Sequence, residues 1–390
     1  MLKMTGRIPE LDGIRGTAIA MVLVEHLFRF PLVPGSLFSR SVIPLRLAWT
    51  GVDLFFVLSG FLIGGILLDV RKAPNYFQVF YLRRFFRIVP VYAAVLLIIP
   101  ALAMTARILH LENYRWLSGN PLPWFSYWTF TQNFWMARTN LSGLMIIAMT
   151  WSLAIEEQFY LTLPILIRVL TKKALMTVVV SGIFLAPILR TLILVFTPDN
   201  NLACYVLMPC RADALLLGVL VALILRDEKA CEVLKRRKLC FGLLFLVLSP
   251  GMAYLALRNS FMFDTVMQMI GYTWVALFYA TVVLFVLIYR ESLLAALFRN
   301  RGLRWLGGLA YGVYLIHQTV LGFVLGPVWA TPFITNWWKF AAAVGALALT
   351  LLIAMVSWRY FELPLVRIGH KFSYHPEERP EEILVEVATL

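Results

Sequence analysis

Long apolar runs separated by short clusters of ionisable residues are the main pattern along this chain of 390 residues. A helix that crosses a bilayer needs roughly 20 apolar residues. Ten runs meet or approach that length, although the sixth is short and the fourth contains two adjacent glutamates. The predicted crossings are residues 14–32, 51–70, 87–106, 143–167, 174–196, 211–226, 239–257, 265–289, 306–326 and 339–361.

The composition changes this picture little, since hydrophobic residues make up 61% of the chain and charged residues 14%. Soluble domains average about 25% charged residues, so the pattern predicts an all-α, polytopic membrane protein. We expect one transmembrane domain over residues 1–372 and a mobile cytoplasmic tail over 373–390. Residues 291–305 resemble an amphipathic segment on the inner surface. Residues 107–142 form the longest predicted outer loop, whose Trp and Tyr rings suit a membrane interface or stacking on a sugar.

The basic residues determine the predicted orientation. Most of the 35 lysines and arginines fall in alternate connecting segments, and this bias places both termini in the cytoplasm. Despite the net charge of +14, they form no single patch, which argues against nucleic-acid binding. Glu25 and His26 interrupt the first apolar run, so a cleavable signal peptide is not expected.

The four cysteines lack the spacing of a metal site, and no metal is expected. Cys204 and Cys210 fall near the outer face, where both a disulfide and two free thiols are open interpretations.

Arg83, Arg84 and Arg87 precede the apolar part of the third crossing. Arg84 and Arg87 are three residues apart and share a helix face, whereas Arg83 points about 100° away. Guanidinium groups donate in the bidentate geometry that phosphates accept. The three arginines are therefore candidate binding residues for an anionic cofactor, the alternative being membrane anchoring alone.

His26 and Glu156 are the candidate catalytic residues, because ionisable side chains at membrane depth are costly. His26 lies 13 residues beyond Gly13, which corresponds to about 20 Å of helix rise. If the fourth crossing begins near Gly143 to Met145, Glu156 reaches roughly 16 Å from the opposite side. An imidazole there could act as a general base, oriented by the carboxylate. Packing between helices is the alternative for His26.

Four further residues lie at comparable depth or near the outer helix ends, namely Asp53, Arg211, Asp213 and His317. They are candidate substrate-binding or supporting residues. Pairing between helices is the alternative, and it is slightly favoured for Arg211 and Asp213. Several glycines, among them Gly60 and Gly307, suggest close helix packing.

Six blocks of the sequence occur in the order found in a known family. They are PELDGIRGTAIAMVLVEH (9–26), GVDLFFVLSGFLI (51–63), YLRRFFRIVP (81–90), WSLAIEEQFYL (151–161), RNRGLRWLGGLAYGVYLIHQ (299–318) and YFELP (360–364). In these blocks the chain resembles the membrane-bound acyltransferase 3 family over nearly its whole length.

The resemblance implies O-acylation, usually acetylation, of a bacterial surface carbohydrate or similar acceptor in the inner membrane. Acetyl-CoA is the implied donor, arriving from the cytoplasm. The family's first-helix histidine corresponds to His26, its R-x-x-R motif to Arg84 and Arg87, and its W-S-L-x-x-E glutamate to Glu156. Some members carry an additional periplasmic domain. If this protein has no such domain, we expect the acceptor to contact the membrane domain itself or a partner protein.

We therefore predict an integral membrane O-acyltransferase that uses acyl-CoA, with His26 as base or as acyl carrier. Its expected partners are a saccharide or lipid-linked saccharide acceptor and the lipid bilayer, and a homodimer is left open. The main alternative is a secondary transporter in which His26, Glu156 and His317 form a proton relay. A third interpretation is a scaffold of polysaccharide assembly without catalysis.

Overall fold

A computed structural model describes residues 8–28, 43–111, 114, 121–258, 261–325 and 334–375. These described residues contain helices and connecting segments but no β-strand. Seven stretches of helix are long and apolar enough to cross a membrane. The all-α, polytopic membrane architecture is confirmed, while the number of crossings and the side of the termini stay predictions.

The first half of the chain contains a short 3-10 segment (Ile43–Thr50) between its first two long helices. Its α-helices are α1 (Pro9–Leu27), α2 (Gly51–Asp69), α3 (Tyr76–Ile108), α4 (Trp124–Trp128), α5 (Gln132–Thr139), α6 (Met145–Ala148), α7 (Trp151–Val169) and α8 (Lys172–Phe196).

The second half contains two π-helical turns, Met267–Gly271 and Trp358–Glu362. Its α-helices are α9 (Asn201–Val206), α10 (Met208–Leu225), α11 (Glu228–Arg236), α12 (Lys238–Leu257), α13 (Tyr272–Ile288), α14 (Leu293–Phe298), α15 (Arg301–Leu325), α16 (Trp337–Ser357) and α17 (Leu363–His370).

Each of the ten predicted crossings overlaps a long helix, but several boundaries differ, and two of the differences concern candidate site residues. Helix α3 begins at Tyr76, so its arginines lie inside the helix. The predicted fourth crossing is divided between α6 and α7, and α7 begins only at Trp151. Glu156 is therefore five residues from the start of α7, which is about 8 Å of rise. The continuous helix from Gly143 to Met145 onward, on which the predicted depth of Glu156 depended, is not observed.

Two other predicted segments are only partly as expected. The predicted outer loop contains two short helices, α4 and α5. Of the predicted amphipathic segment 291–305, Leu293–Phe298 forms a separate helix, and the residues from Arg301 onward belong to α15.

The start of the predicted tail contacts Asn75, the residue that immediately precedes α3. Asn75 donates a hydrogen bond to the Ser373 carbonyl at 2.9 Å and accepts one from the His375 backbone at 3.0 Å. Residues 376–390 lie outside the described part of the chain.

Glycines allow two pairs of helices to pack at backbone distance. A Cβ at Gly16 of α1 would overlap the Leu303 carbonyl of α15, and one at Gly307 would overlap the Asp12 carbonyl. Likewise, a Cβ at Gly60 of α2 would overlap the Leu215 carbonyl of α10. These contacts confirm the close packing predicted for Gly60 and Gly307, and they hold α1 and α2, which carry candidate site residues, against their neighbours.

Candidate active site

A cavity of about 500 Å³ lies among α1, α2, α3, α7 and α15, with His370 of α17 at its edge. It is elongated, because residues from Val52 to Ile66 of α2 line it, a helix rise of roughly 21 Å. Arg15, Arg84 and Arg87 line its inner end, the end predicted to face the cytoplasm. The cavity therefore brings together arginines from two helices.

The predicted divergence of the three neighbouring arginines is seen in their contacts. Arg84 lies over the ring of Tyr160 at 5.9 Å, and Arg87 lies over that of Trp358 at the same distance. Arg83 is not among the described residues that line the cavity. Its Nε donates to the Phe372 carbonyl at 2.8 Å, and Tyr374 lies 5.1 Å away. Arg83 thus contacts the C-terminal segment.

Arg15 was missed as a site residue by the sequence analysis. It lies on α1, in the block PELDGIRG, and its Nη1 is 3.4 Å from Asp12. In the sequence, Arg15 was counted only as one of the basic residues that orient the chain in the membrane. The positive-inside bias already explains a basic residue at the predicted inner end of a crossing. Its position within the first apolar run was the one sequence feature that pointed to a functional role. Only the packing of the helices shows that Arg15 lines the same cavity as Arg84 and Arg87.

Glu156 lines the cavity beyond the arginines, with the hydroxyls of Ser59 and Tyr160 beside it. These two hydroxyls are 2.6 Å apart. Arg84 and Arg15 are the nearby cations that act on the carboxylate. Glu156 is therefore a half-buried carboxyl group next to a cationic cluster.

The adjacent Glu157 is also half-buried, and its Oε1 has no hydrogen-bond partner among the described residues. The same holds for Nε of Arg84. Of these two residues only Arg84 lines the cavity, and a buried polar atom without a partner is costly.

His26 forms a pair with His317, a residue that the sequence connected with it only in the alternative proton relay. Nδ1 of His26 lies 3.2 Å from Nε2 of His317, and the ring centroids are 5.0 Å apart. His317 is fully buried. His26 is thus one half of an imidazole pair. Its orientation by Glu156 stays a prediction.

Tyr314 connects the cavity with this imidazole pair. Its side chain lines the cavity, and its ring centroid is 5.9 Å from that of His317. The Tyr314 hydroxyl is held by Ser152 at 2.6 Å and donates to the Met149 carbonyl at 2.9 Å. Neither His26 nor His317 is among the described residues that line the cavity. The imidazoles therefore lie one side-chain layer beyond it.

The remaining predicted supporting residues form buried ion pairs between helices. Arg211 of α10 pairs with Asp53 of α2, and Asp213 pairs with Arg190 of α8 at 2.9 Å. Asp213 also accepts a hydrogen bond from Thr273 at 2.6 Å. The interpretation of inter-helix pairing is confirmed for Arg211 and Asp213. Sequence analysis missed Arg190, although an arginine deep inside an apolar run was a usable signal.

Glu362 is a further buried acid that received no role from the sequence. It ends the second π-helical turn, and its Oε1 accepts a hydrogen bond from Ser357 at 2.9 Å. Its carboxylate acts on Arg87 electrostatically. Gly312 leaves room for this carboxylate, because a Cβ there would lie 2.6 Å from Oε1.

The cysteines are free, and Cys204 and Cys210 are buried without a disulfide between them. Among the described residues, no group of three His, Cys, Asp or Glu side chains is arranged to hold a metal ion.

A family profile described as an acyltransferase domain matches residues 8–359. The chain is similar to the peptidoglycan O-acetyltransferase OatA of Listeria monocytogenes, at 28% identity over 93% of this chain and 56% of that protein. It is also similar to the O-acetyltransferase OatA of Staphylococcus aureus (strain MRSA252), at 25% identity over 96% of this chain and 60% of that protein. The chain thus spans less than two thirds of the length of these relatives. No solved structure matches it.

Proposed function

The chain belongs to the acyltransferase 3 family, and on this premise we propose that it is an integral membrane O-acetyltransferase. The proposed reaction moves an acetyl group from cytoplasmic acyl-CoA to a hydroxyl of a saccharide or similar polar acceptor. Relatives named as O-acetyltransferases, one of them for peptidoglycan, support the acetyl group and the carbohydrate acceptor. The same proposal places the protein in the bacterial cytoplasmic membrane.

The observation that carries this proposal is the cavity in which Arg15, Arg84 and Arg87 lie together. A cluster of three guanidiniums is costly away from water unless an anion accompanies it. Phosphate oxygens accept bidentate hydrogen bonds from arginine, and a pyrophosphate offers several such sites. Glu156 can compensate only part of the positive charge, so the cluster suits the phosphates of coenzyme A.

The wall of the cavity beyond the arginines also fits the donor. Leu62, Ile63 and Ile66 of α2 provide an apolar lining, followed by the more polar Ser59 and Glu156. A long, thin cavity with a cationic entrance suits a donor that carries its acyl group on an extended arm. The thioester end would then lie near Tyr314, next to the imidazole pair.

His26 supplies the proposed chemistry. When bound, the donor provides the activated acetyl group. His26 takes the proton of the acceptor hydroxyl as the oxygen attacks the acetyl carbon and the C–S bond breaks, or it first carries the acetyl group itself. Because Tyr314 lies between the cavity and the imidazole pair, its side chain must turn during either route. Glu156 would balance the charge of Arg84 at the cavity.

The test uses the purified full chain in detergent, with acetyl-CoA labelled in its acetyl group. We expect the wild-type chain to release free CoA thiol in the presence of a polar hydroxyl acceptor. His26→Ala should lower this rate by about 10²- to 10⁴-fold without preventing membrane insertion. His375→Ala is the control, since that side chain is exposed at the inner surface. Normal release by His26→Ala would remove His26 from the mechanism.

A proton relay through His26, Glu156 and His317 in a transporter is the second candidate, and the contact between the two histidines favours it. If the chain were a proton-coupled transporter, movement of its solute into proteoliposomes would change the pH of their lumen. A chain that releases thiol from acetyl-CoA without such proton movement supports the acetyltransferase.

A further inference from the structure

The half-buried His26 and the fully buried His317 hold each other in one specific arrangement of protons. A neutral imidazole has one nitrogen that donates a hydrogen bond and one that accepts. Which nitrogen carries the proton is determined by the hydrogen bonds around the ring. The contacts of His26 and His317 identify the protonated nitrogen in both rings.

His317 is protonated on Nδ1. This nitrogen lies 2.7 Å from the Tyr314 carbonyl and 3.1 Å from the Val313 carbonyl. Carbonyl oxygens only accept, so Nδ1 must donate. In the neutral ring Nε2 then carries a lone pair, and this is the nitrogen that faces His26.

His26 is protonated on Nδ1 for two independent reasons. Its Nδ1 lies 3.0 Å from the Val22 carbonyl, which requires a donor. The same nitrogen lies 3.2 Å from the lone pair on Nε2 of His317, which also requires a donor. The proton of Nδ1 is thus shared between two acceptors, and the basic lone pair of His26 is on Nε2.

A protonated His317 does not fit these contacts. It would direct an Nε2–H group at the Nδ1–H group of His26, and two donors in contact repel each other. It would also place a charge on a fully buried ring, which is costly. The pair is therefore consistent with a neutral His317 that acts only as an acceptor towards His26.

We propose that His317 is a positioning residue that fixes the His26 tautomer and so makes Nε2 of His26 the base of the reaction. The inference rests on the proposed acetyltransferase function. The proton of the acceptor hydroxyl moves to Nε2 and the hydroxyl oxygen bonds to the acetyl carbon. The C–S bond of the donor breaks with its electron pair going to sulfur, and the CoA thiolate then takes the proton from Nε2 and leaves as the free thiol. Nδ1–H of the transient imidazolium stays bonded to His317, which stabilises the positive charge.

The tautomers can be measured without any activity assay, because the chain has only five histidines. The variant His110→Asn, His370→Asn and His375→Asn leaves the imidazole pair alone, and the three replaced side chains are exposed. Asparagine also tolerates the positive φ of 50° at His110. The protein is labelled with ¹⁵N at both ring nitrogens of histidine and studied by nitrogen NMR in detergent or lipid.

We expect both Nδ1 atoms to be protonated, with a coupling between the two rings across the hydrogen bond. An unprotonated Nδ1 on either ring would overturn the proposal. This outcome is independent of the donor and acceptor. If the wild-type chain released no thiol from acetyl-CoA, the proposed function would fail while the tautomer result still stood.

Two substitutions of His317 test its effect on the reaction. His317→Gln keeps an oxygen that can accept from His26, whereas His317→Leu fills the space without an acceptor. We expect thiol release to fall about 10- to 100-fold in His317→Leu, the usual effect of losing a group that orients an imidazole. His317→Gln should restore most of the rate. Equal rates in the two variants, at equal thermal stability in detergent, would contradict a positioning role.

Discussion

At the scale of single residues, three arginines within five positions of α3 have different surroundings. Arg84 and Arg87 line the cavity, and Arg83 contacts the segment at Phe372 and Tyr374. The helical period predicted this division, because residues three apart share a face and neighbours diverge. The third arginine of the cavity, Arg15, was not predictable in this way, since it comes from another helix.

A comparison of Arg87 with Arg83 tests whether the arginines of α3 bind the donor or only anchor the helix in the membrane. We expect Arg87→Ala to remove charge-assisted hydrogen bonds to the donor phosphates, each worth about 1.5–3 kcal/mol. The dissociation constant for acetyl-CoA should rise roughly 10- to 100-fold, measured by titration calorimetry in detergent. Arg83→Ala has the same change in charge on the same helix and should leave binding nearly unchanged. Equal weakening in both variants would indicate that these residues serve general electrostatics only.

At the scale of elements, glycines determine how closely the helices of the site approach. Gly60 of α2 lies against the backbone of α10, whereas Gly242 of α12 has nothing within 4 Å of its missing Cβ. Both are glycines inside apolar helices, and the sequence does not separate them. Their difference arises from the neighbouring helix.

This contrast predicts opposite effects on stability. Gly60→Ala should separate α2 from α10 and lower the free energy of unfolding by about 1–3 kcal/mol, the usual cost of overpacking. Gly242→Ala should be neutral or stabilise by up to ~1 kcal/mol, because alanine is the better helix former. Thermal unfolding of the purified variants in detergent measures both. A stable Gly60→Ala chain would contradict the close backbone contact.

At the scale of the whole molecule, orientation is a property that the charge bias predicts and that a labelling experiment can test. The chain has four cysteines, of which Cys204, Cys210 and Cys231 are buried and Cys240 is partly exposed. Cys240 lies at the start of α12, beside the basic residues that are predicted to face the cytoplasm.

A membrane-impermeant maleimide should therefore label the chain in inverted vesicles and leave it unlabelled in intact spheroplasts. Cys240→Ser should remove the signal, which identifies the labelled thiol. Labelling in intact spheroplasts would reverse the predicted orientation, and with it the face from which the donor enters.

The sequence alone was sufficient for the helical membrane architecture, the family and the candidate residues His26, Arg84, Arg87 and Glu156. The length of an apolar run and the spacing of residues along one helix are local properties of the sequence. They suffice because each segment that crosses a bilayer must form its own backbone hydrogen bonds. The tertiary structure decided which ionisable groups meet. It paired His26 with His317, joined Arg15 to the cavity, placed the start of α7 at Trp151 and buried Arg190 against Asp213. Those contacts depend on how separate helices pack, and no spacing within a single helix contains that information.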